Sequence, residues 1–312
     1  MDVCDVRLPP RTELGRRPFG SMRAPSSRAG EPAGEGHFWP AKMSSLRSPW
    51  TQPALWLDGG NEAVTRAKTP TDGAVRNLAI LIDRLGGRLV VSCQAPPGHP
   101  LAELHTIVAL CCCAERGGAA GVRVDSVEAV RAAKQAVGIP VIGLKKAWQG
   151  YGGLTGGRPA ITPEVQDAVD LAGAGADVVA VEATRELRGN RFAKHLGLLR
   201  SAIDVPVLAD VSTLDEGVAA YAAGADLVGT TLSGYTVQSE RQPGPNLALV
   251  RELAGRGIPT VAEGRISTPE QAAAAIGAGA IFVVVGKAIT DPLARAATFV
   301  AAIADWLAEA NR

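Results

Sequence analysis

From residue 75 onward the chain repeats one unit, a short apolar run rich in β-branched residues followed by a longer helical stretch. The runs are Leu89–Cys93, Gly121–Val124, Val141–Leu144, Asp177–Val181, Pro206–Asp210, Leu227–Thr230, Thr260–Glu263 and Ile281–Gly286. Helical patterning fills Leu101–Arg116, Val127–Ala136, Pro163–Ala174, Lys194–Ile203, Thr213–Ala222, Asn246–Ala254 and Thr268–Ile276, with a last stretch from Pro292 toward Leu307. Strands covered on both faces read as continuous apolar runs, and parallel neighbours need a crossover of about a dozen residues or more. The alternation therefore predicts a parallel sheet. Eight such units in roughly 238 residues fit a closed (β/α)8 TIM barrel, whose usual size is about 250 residues. An open doubly wound sheet fits less well, because no dinucleotide fingerprint follows the first run.

Composition supports close backbone packing: 36 glycines, aromatics at 4% and hydrophobic residues at 46% of 312 residues. A weak internal repeat, Gly118-Ala119-Ala120-Gly121, Gly173-Ala174-Gly175-Ala176, Ala223-Gly224-Ala225 and Gly277-Ala278-Gly279-Ala280, sits where helices end and strands begin. Glycine there closes the helix in a left-handed conformation, and the alanine lets helix and strand approach. The repeat marks the bottom of the barrel.

Residues 1–74 read differently. The first 50 hold seven prolines, seven arginines and six serines with no sustained apolar period, which predicts a disordered extension before the barrel at 75–312. Glu31, Glu35 and the prolines spoil an amphipathic targeting helix. With 32 Lys plus Arg against 31 Asp plus Glu, the formal charge of +1 argues against a broad nucleic-acid surface. No apolar run approaches the roughly 18 residues of a membrane helix, and no secretory leader pattern opens the chain, so the expectation is no nucleic acid, no membrane and a cytoplasmic location. Cys4, Cys93 and Cys111 to Cys113 lack zinc-site spacing and read as small buried hydrophobes. No metal is expected.

In such a barrel the residues at strand C-termini face the catalytic mouth. They are Gln94, Arg123, Lys146, Glu182, Asp210 with Ser212, Thr230 and Thr231, Glu263 with Gly264 and Arg265, and Gly286 with Lys287. Any one of these has a plain alternative as an ion pair, a cap or a solvated side chain. Both charge signs gathered in one concavity point to chemistry, since buried charges are costly unless paired or used. The turns Ala262-Glu263-Gly264-Arg265 and Val285-Gly286-Lys287-Ala288 place glycines where backbone N–H groups approach an anion, after the two strands that commonly build a barrel phosphate site.

Several segments resemble the bacterial N-acetylmannosamine-6-phosphate 2-epimerases: Val91-Ser92-Cys93-Gln94, Ile142-Gly143-Leu144-Lys145-Lys146, Gly229-Thr230-Thr231-Leu232-Ser233-Gly234-Tyr235-Thr236, Ala262-Glu263-Gly264-Arg265 and Val285-Gly286-Lys287-Ala288-Ile289-Thr290. The likeness spans about residues 78 to 300. It implies interconversion of N-acetylmannosamine 6-phosphate and N-acetylglucosamine 6-phosphate in sialic-acid breakdown, without metal or organic cofactor, by a homodimer. It implies Lys146 as the base at C2 and Glu263 as the second acid/base, moving the proton of the ring oxygen or of the opposite face. Gln94, Arg123, Glu182, Thr184, Arg188, Asp210 and Thr230 would hold the sugar, and Gly264, Arg265, Gly286 and Lys287 the phosphate.

The chain also departs from the family. Where the family usually has Asp-Gly-Thr and then two arginines, this chain has Glu182-Ala183-Thr184-Arg185-Glu186-Leu187-Arg188, with Glu186 at the expected first arginine and Arg185 or Arg188 available to compensate. Lys287 replaces a small hydroxyl residue, and the glycine-rich stretch Gln149–Pro159 is longer than usual. The competing readings are another sugar-phosphate barrel enzyme and a non-catalytic sugar-phosphate sensor. A metal-dependent ribulose-phosphate epimerase is disfavoured because none of His37, His99, His105 and His195 stands at a strand end beside a carboxylate.

Overall fold

Eight parallel strands close on themselves because each carries apolar residues on both faces, so neither face can be left to water. The computed structural model describes residues 72–310 apart from Gly152. The expected extension over residues 1–74 lies outside the described residues, except that helix α1 (Asp72–Leu85) begins three residues before the expected boundary. The barrel strands are β1 (Leu89–Cys93), β2 (Gly121–Asp125), β3 (Val141–Leu144), β6 (Val178–Glu182), β7 (Val207–Asp210), β8 (Leu227–Gly229), β9 (Thr260–Glu263) and β10 (Phe282–Val285), and β1 pairs with β10 to close the ring. All eight expected strands are present, with ends shifted by at most a residue or so.

Between β3 and β6 the chain makes a two-stranded antiparallel hairpin that the sequence reading did not foresee. Its strands are β4 (Lys146–Ala147) and β5 (Ala160–Ile161), with Lys146 opposite Ile161. The crossover helices are α2 (Leu104–Arg116), α3 (Val127–Ala136), α4 (Val165–Gly173), α5 (Arg185–Arg188), α6 (Phe192–Ala202), α7 (Leu214–Ala223), α8 (Leu247–Ala254), α9 (Pro269–Gly277) and α10 (Lys287–Thr290), and α11 (Pro292–Ala310) follows.

Period-two alternation along the strands divides the core. Val90, Ile142, Val178, Ala180, Leu208, Leu227, Val261, Phe282 and Val284 fill the barrel interior, where Leu81 and Leu85 of α1 join them. Val91, Val122, Val124, Val141, Val179, Val207 and Val228 point outward to the helices. Cys93 and Cys111 are buried in this outer layer, but Cys112 is half-buried and Cys113 exposed. The expectation of a uniformly buried cysteine run is corrected there, because three consecutive helical positions cannot share one face.

The glycine repeat does what its chemistry predicts. Gly118, Gly175, Gly224 and Gly279 all have φ between +90° and +111°, the conformation that ends a helix without a Cβ clash. The following Ala119, Ala176, Ala225 and Ala280 donate back to the carbonyls of Ala114, Leu171, Ala220 and Ala275 at 3.0–3.1 Å and are buried. Among the described residues no helix is long and apolar enough to cross a membrane.

Candidate active site

At the C-terminal end of the barrel, Arg123 from β2 is the organising charge. Its side chain is only 1% exposed, and a buried cation of this kind needs partners. It donates to Asp210 Oδ2 at 2.5 Å and to Asp210 Oδ1 at 3.3 Å, and it forms a hydrogen-bonded ion pair with Glu263 Oε2. Thr231 completes the cluster by donating to Asp210 Oδ1 at 2.6 Å and to Glu263 Oε2 at 3.2 Å. Strands β2, β7 and β9 thus deliver one cation and two carboxylates to one point. Among the described residues Arg123 Nε is buried without a partner.

Glu263 is held in the cluster through its backbone. The Thr230 hydroxyl donates to its carbonyl at 3.0 Å and accepts from its N–H at 3.2 Å. Burial pushes the Glu263 carboxyl up, and Asp210 adds to this, while Arg123, the Thr231 hydroxyl and Lys146 pull down; the result is about 7. The side chain therefore exchanges a proton near neutrality.

Lys146 is half-buried at the start of the hairpin, and its backbone N–H donates to Asp125 Oδ1 at 2.9 Å. Burial pulls its amine below the usual lysine range, with Arg123 and Lys287 adding to the effect; Asp125 and Glu263 oppose it. Among the described residues the Lys146 amine forms no hydrogen bond or ion pair. An amine pushed down and a carboxyl pushed up around one guanidinium is the environment expected of a base and acid pair.

The remaining expected residues divide. Gln94 is half-buried at the end of β1, its amide donating to Ser92 Oγ at 3.0 Å. Glu182 is fully buried with both oxygens in use: it accepts from Arg158 at 2.8 and 2.9 Å, from Thr184 Oγ1 at 2.5 Å and from Ile161 N at 3.2 Å. A carboxylate accepting four hydrogen bonds has no lone pair left for a sugar hydroxyl. Thr184 also caps α5 by accepting from Leu187 N. Arg188 is turned to backbone carbonyls, those of Glu182 at 3.2 Å and Thr162 at 3.3 Å.

In the two turns expected to meet phosphate, Gly264 has φ +107° beside the carbonyls of Thr231 and Thr230, and Gly286 backs onto Ser92. Arg265 binds the carbonyls of Gly244 and Ser233 and lies over the Tyr235 ring at 5.2 Å, so its guanidinium clamps the loop after β8. Lys287 is exposed at the rim. Among the described residues no group of three or more His, Cys, Asp or Glu side chains is arranged to hold a metal ion.

Three participants, Asp125, Thr231 and Arg158, lie outside the residues to which the sequence assigns a role. Asp125 lies one residue beyond the expected end of β2, so counting to the true strand end would have found it. Thr231 was noted at a strand end but given no part. Arg158 sits in a glycine-rich stretch with no periodicity to betray it, and it pairs with Glu186 at 2.7 Å as well as with Glu182. It is the cation that answers the acidic departure at Glu186, where Arg185 or Arg188 had been expected to compensate.

Known proteins are similar to this chain over most of the barrel. Residues 107–305 match the protein family described as "Putative N-acetylmannosamine-6-phosphate epimerase". A protein of Cutibacterium acnes named "Putative N-acetylmannosamine-6-phosphate 2-epimerase" is 44% identical over 218 residues, covering 68% of this chain and 92% of that one. One of the same name from Caldanaerobacter subterraneus is 42% identical over 217 residues, covering 68% and 89%. The solved structure of the N-acetylmannosamine-6-phosphate 2-epimerase from Clostridium perfringens superposes with a TM-score of 0.65 at 32% identity, covering 70% of this chain and 95% of that one.

Proposed function

Since this chain belongs to the N-acetylmannosamine-6-phosphate epimerase family, we propose that it interconverts N-acetylmannosamine 6-phosphate and N-acetylglucosamine 6-phosphate by passing a C2 proton between Lys146 and Glu263. The observation that carries this reading is the convergence of Glu263 and Asp210 on the buried Arg123 at the barrel mouth, with the Lys146 amine close enough to feel these charges and displaced downward while the carboxyl is displaced upward.

The chemistry begins with the open-chain sugar. The C2 proton is acidic because the electron pair it leaves behind is taken up by the C1 carbonyl as an enolate. Lys146, as the free amine, accepts the proton, and the protonated Glu263 returns one to the other face of C2. The enolate oxygen needs a preorganised donor, and the Arg123 guanidinium is the one assigned to it. Asp210 and Thr231 fix the guanidinium so that it costs no reorganisation during the reaction. Gln94 meets the sugar hydroxyls, and the phosphate lies against the turns at Gly264-Arg265 and Gly286-Lys287, with Lys287 as the point charge.

A sugar phosphate does not cross a bilayer unaided, which supports a cytoplasmic location for the reaction as a step of sialic-acid catabolism. In the same proposal a second copy of this chain covers helix α11, where Phe299, Val300, Ile303 and Trp306 are exposed.

The test is C2 proton exchange in deuterated water, followed by proton NMR on the anomeric signals of both hexosamine phosphates. Lys146→Ala and Glu263→Ala are each expected to abolish conversion of one hexosamine phosphate into the other, with exchange surviving at most on the face whose base remains, while circular dichroism stays that of the folded barrel. Conversion that persists in either variant removes that residue from the mechanism. An enzyme inert on both sugars sinks the substrate assignment, and binding without exchange favours the sensor.

A further inference from the structure

The amine assigned above as the base does not stand on a barrel strand. Lys146 opens the β4–β5 hairpin, and its placement depends on what holds that hairpin. At its base, Thr162 N donates to Lys145 O at 2.7 Å and Lys145 N donates to Thr162 Oγ1 at 3.0 Å. Thr162 is fully buried and has φ +44°, which is strained for a β-branched residue and persists only where surroundings over-determine it. On the β5 side, Ile161 N donates to Glu182 Oε2 at 3.2 Å, and Ile161 is the partner of Lys146 across the hairpin.

Glu182 is in turn fixed by Arg158, which lies in the loop between β4 and β5. One guanidinium meets Glu182 with two nitrogens, Glu186 with one, and the Tyr235 carbonyl through Nε at 3.2 Å. Glu186 also accepts from Thr155 N at 2.8 Å and Thr155 Oγ1 at 2.5 Å, which pins the same loop a second time. The side chains of Arg158, Glu182 and Glu186 are 12%, 0% and 7% exposed, so this is a largely desolvated network and not a solvated surface pair.

We propose that Arg158 is a positioning residue for Lys146, acting through Glu182 and strand β5; this rests on the role assigned to Lys146 under the proposed function. With Arg158 in place, the hairpin holds the amine against the mouth. Without it the hairpin loosens and water reaches the amine. The charged groups facing Lys146 are Asp125 and Arg123 from β2, Glu263 from β9 and Lys287 from α10. None of these is touched by substituting Arg158.

The experiment measures kcat and KM for epimerisation across the pH range in the full-length enzyme. Arg158→Lys keeps one ion pair and loses the two-pronged contact. The double variant Arg158→Ala with Glu182→Gln removes the pair without leaving the fully buried Glu182 charged and unpaired, while Glu186 keeps its hydrogen bonds from Thr155, which guards against simple unfolding. A displaced base is expected to lower kcat about 10- to 100-fold. The acid limb of the kcat profile should move to higher pH as the amine regains water, with KM changing by less than about threefold, and Arg158→Lys should fall between wild type and the double variant. A rise in KM with kcat and the limb unchanged would mean that Arg158 meets substrate directly, and would overturn the proposal. So would an equal loss at every pH with the limb unmoved. Lys146→Ala in the same assay separates the premise: epimerisation surviving that change sinks the assignment of the base, whereas an unmoved Arg158 limb with Lys146 essential sinks the positioning alone.

Discussion

Replacing Arg123 with methionine should destabilise the barrel in a way that depends on pH. Methionine approximates the length of the arginine stem, so little cavity is left, but Asp210 and Glu263 lose the cation that both of them bind. Breaking a buried pair by removing one partner costs about 3–5 kcal/mol, because the other charge stays buried without compensation. For a domain of about 150–250 residues each kcal/mol lowers Tm by roughly 2–4 °C, so a fall on the order of 6–20 °C is expected near pH 8. Even with Arg123 beside it the Glu263 carboxyl sits at about 7, and without the cation it rises further. A carboxyl whose folded pKa exceeds its unfolded value contributes stability that is complete below the unfolded value, about 4.3, and is lost as pH climbs through the folded one. The deficit of the variant relative to wild type should therefore be greatest near pH 8 and shrink toward about pH 5, where the orphaned Glu263 carboxyl is neutral. Thermal unfolding by far-UV circular dichroism at the two pH values reads this directly. A deficit equal at both, or larger in acid, would refute the assignment of Arg123 as the counter-charge and point to lost packing.

The proton-transfer pair must hold one proton between its two members in either direction of reaction. Turnover should therefore be bell-shaped in pH, falling in acid where both are protonated and in alkali where both are bare; a rate that climbs steadily into alkali contradicts the pair. Gly118→Ala, at φ +90° with open space around it, should cost about 1–2 kcal/mol for the left-handed backbone alone. Gly279→Ala should cost about 1–3 kcal/mol more, since its Cβ would meet Ala254 Cβ at 2.6 Å; equal losses in chemical denaturation would contradict that contact. Trp306→Asp in α11 should leave the stability of the single chain unchanged and convert a dimer to monomer by light scattering; a mass unaffected by it removes α11 from the interface.

The strands were legible because burial on both faces writes itself as uninterrupted Val, Ile and Leu. The helix ends were legible because Gly175 and Gly279 occupy positions where a side chain would be strained. Helix α1 was overlooked although Leu78, Leu81, Ile82 and Leu85 recur at helical spacing, because the polar stretch before it set the expectation of disorder. The residues of the Arg123 cluster stood at strand ends and could be gathered by position alone. Their pairing could not: nothing local says that Glu182 spends its oxygens on Arg158, that Arg265 turns to two carbonyls, or that a two-residue hairpin strand carries Lys146. Those choices are made by side chains far apart in sequence, and no periodicity records them.

Closure of the ring joins Leu89 to Val283, nearly the whole described length of the chain apart. On a ribosome the N-terminal strands emerge first, and pairing at such a separation is slow even for a free chain. Until β10 is available, β1 and β9 both present unpaired edges, which other chains can join. Leu81 and Leu85 wait in the same interval without the interior they are to fill. A nascent chain stopped just short of Phe282 already contains Arg123, Asp210, Lys146 and Glu263, yet the strand that fixes β9 against β1 is missing. For this molecule the arrival of β10, and not that of any one reactive residue, separates an open arc with two free edges from a closed vessel.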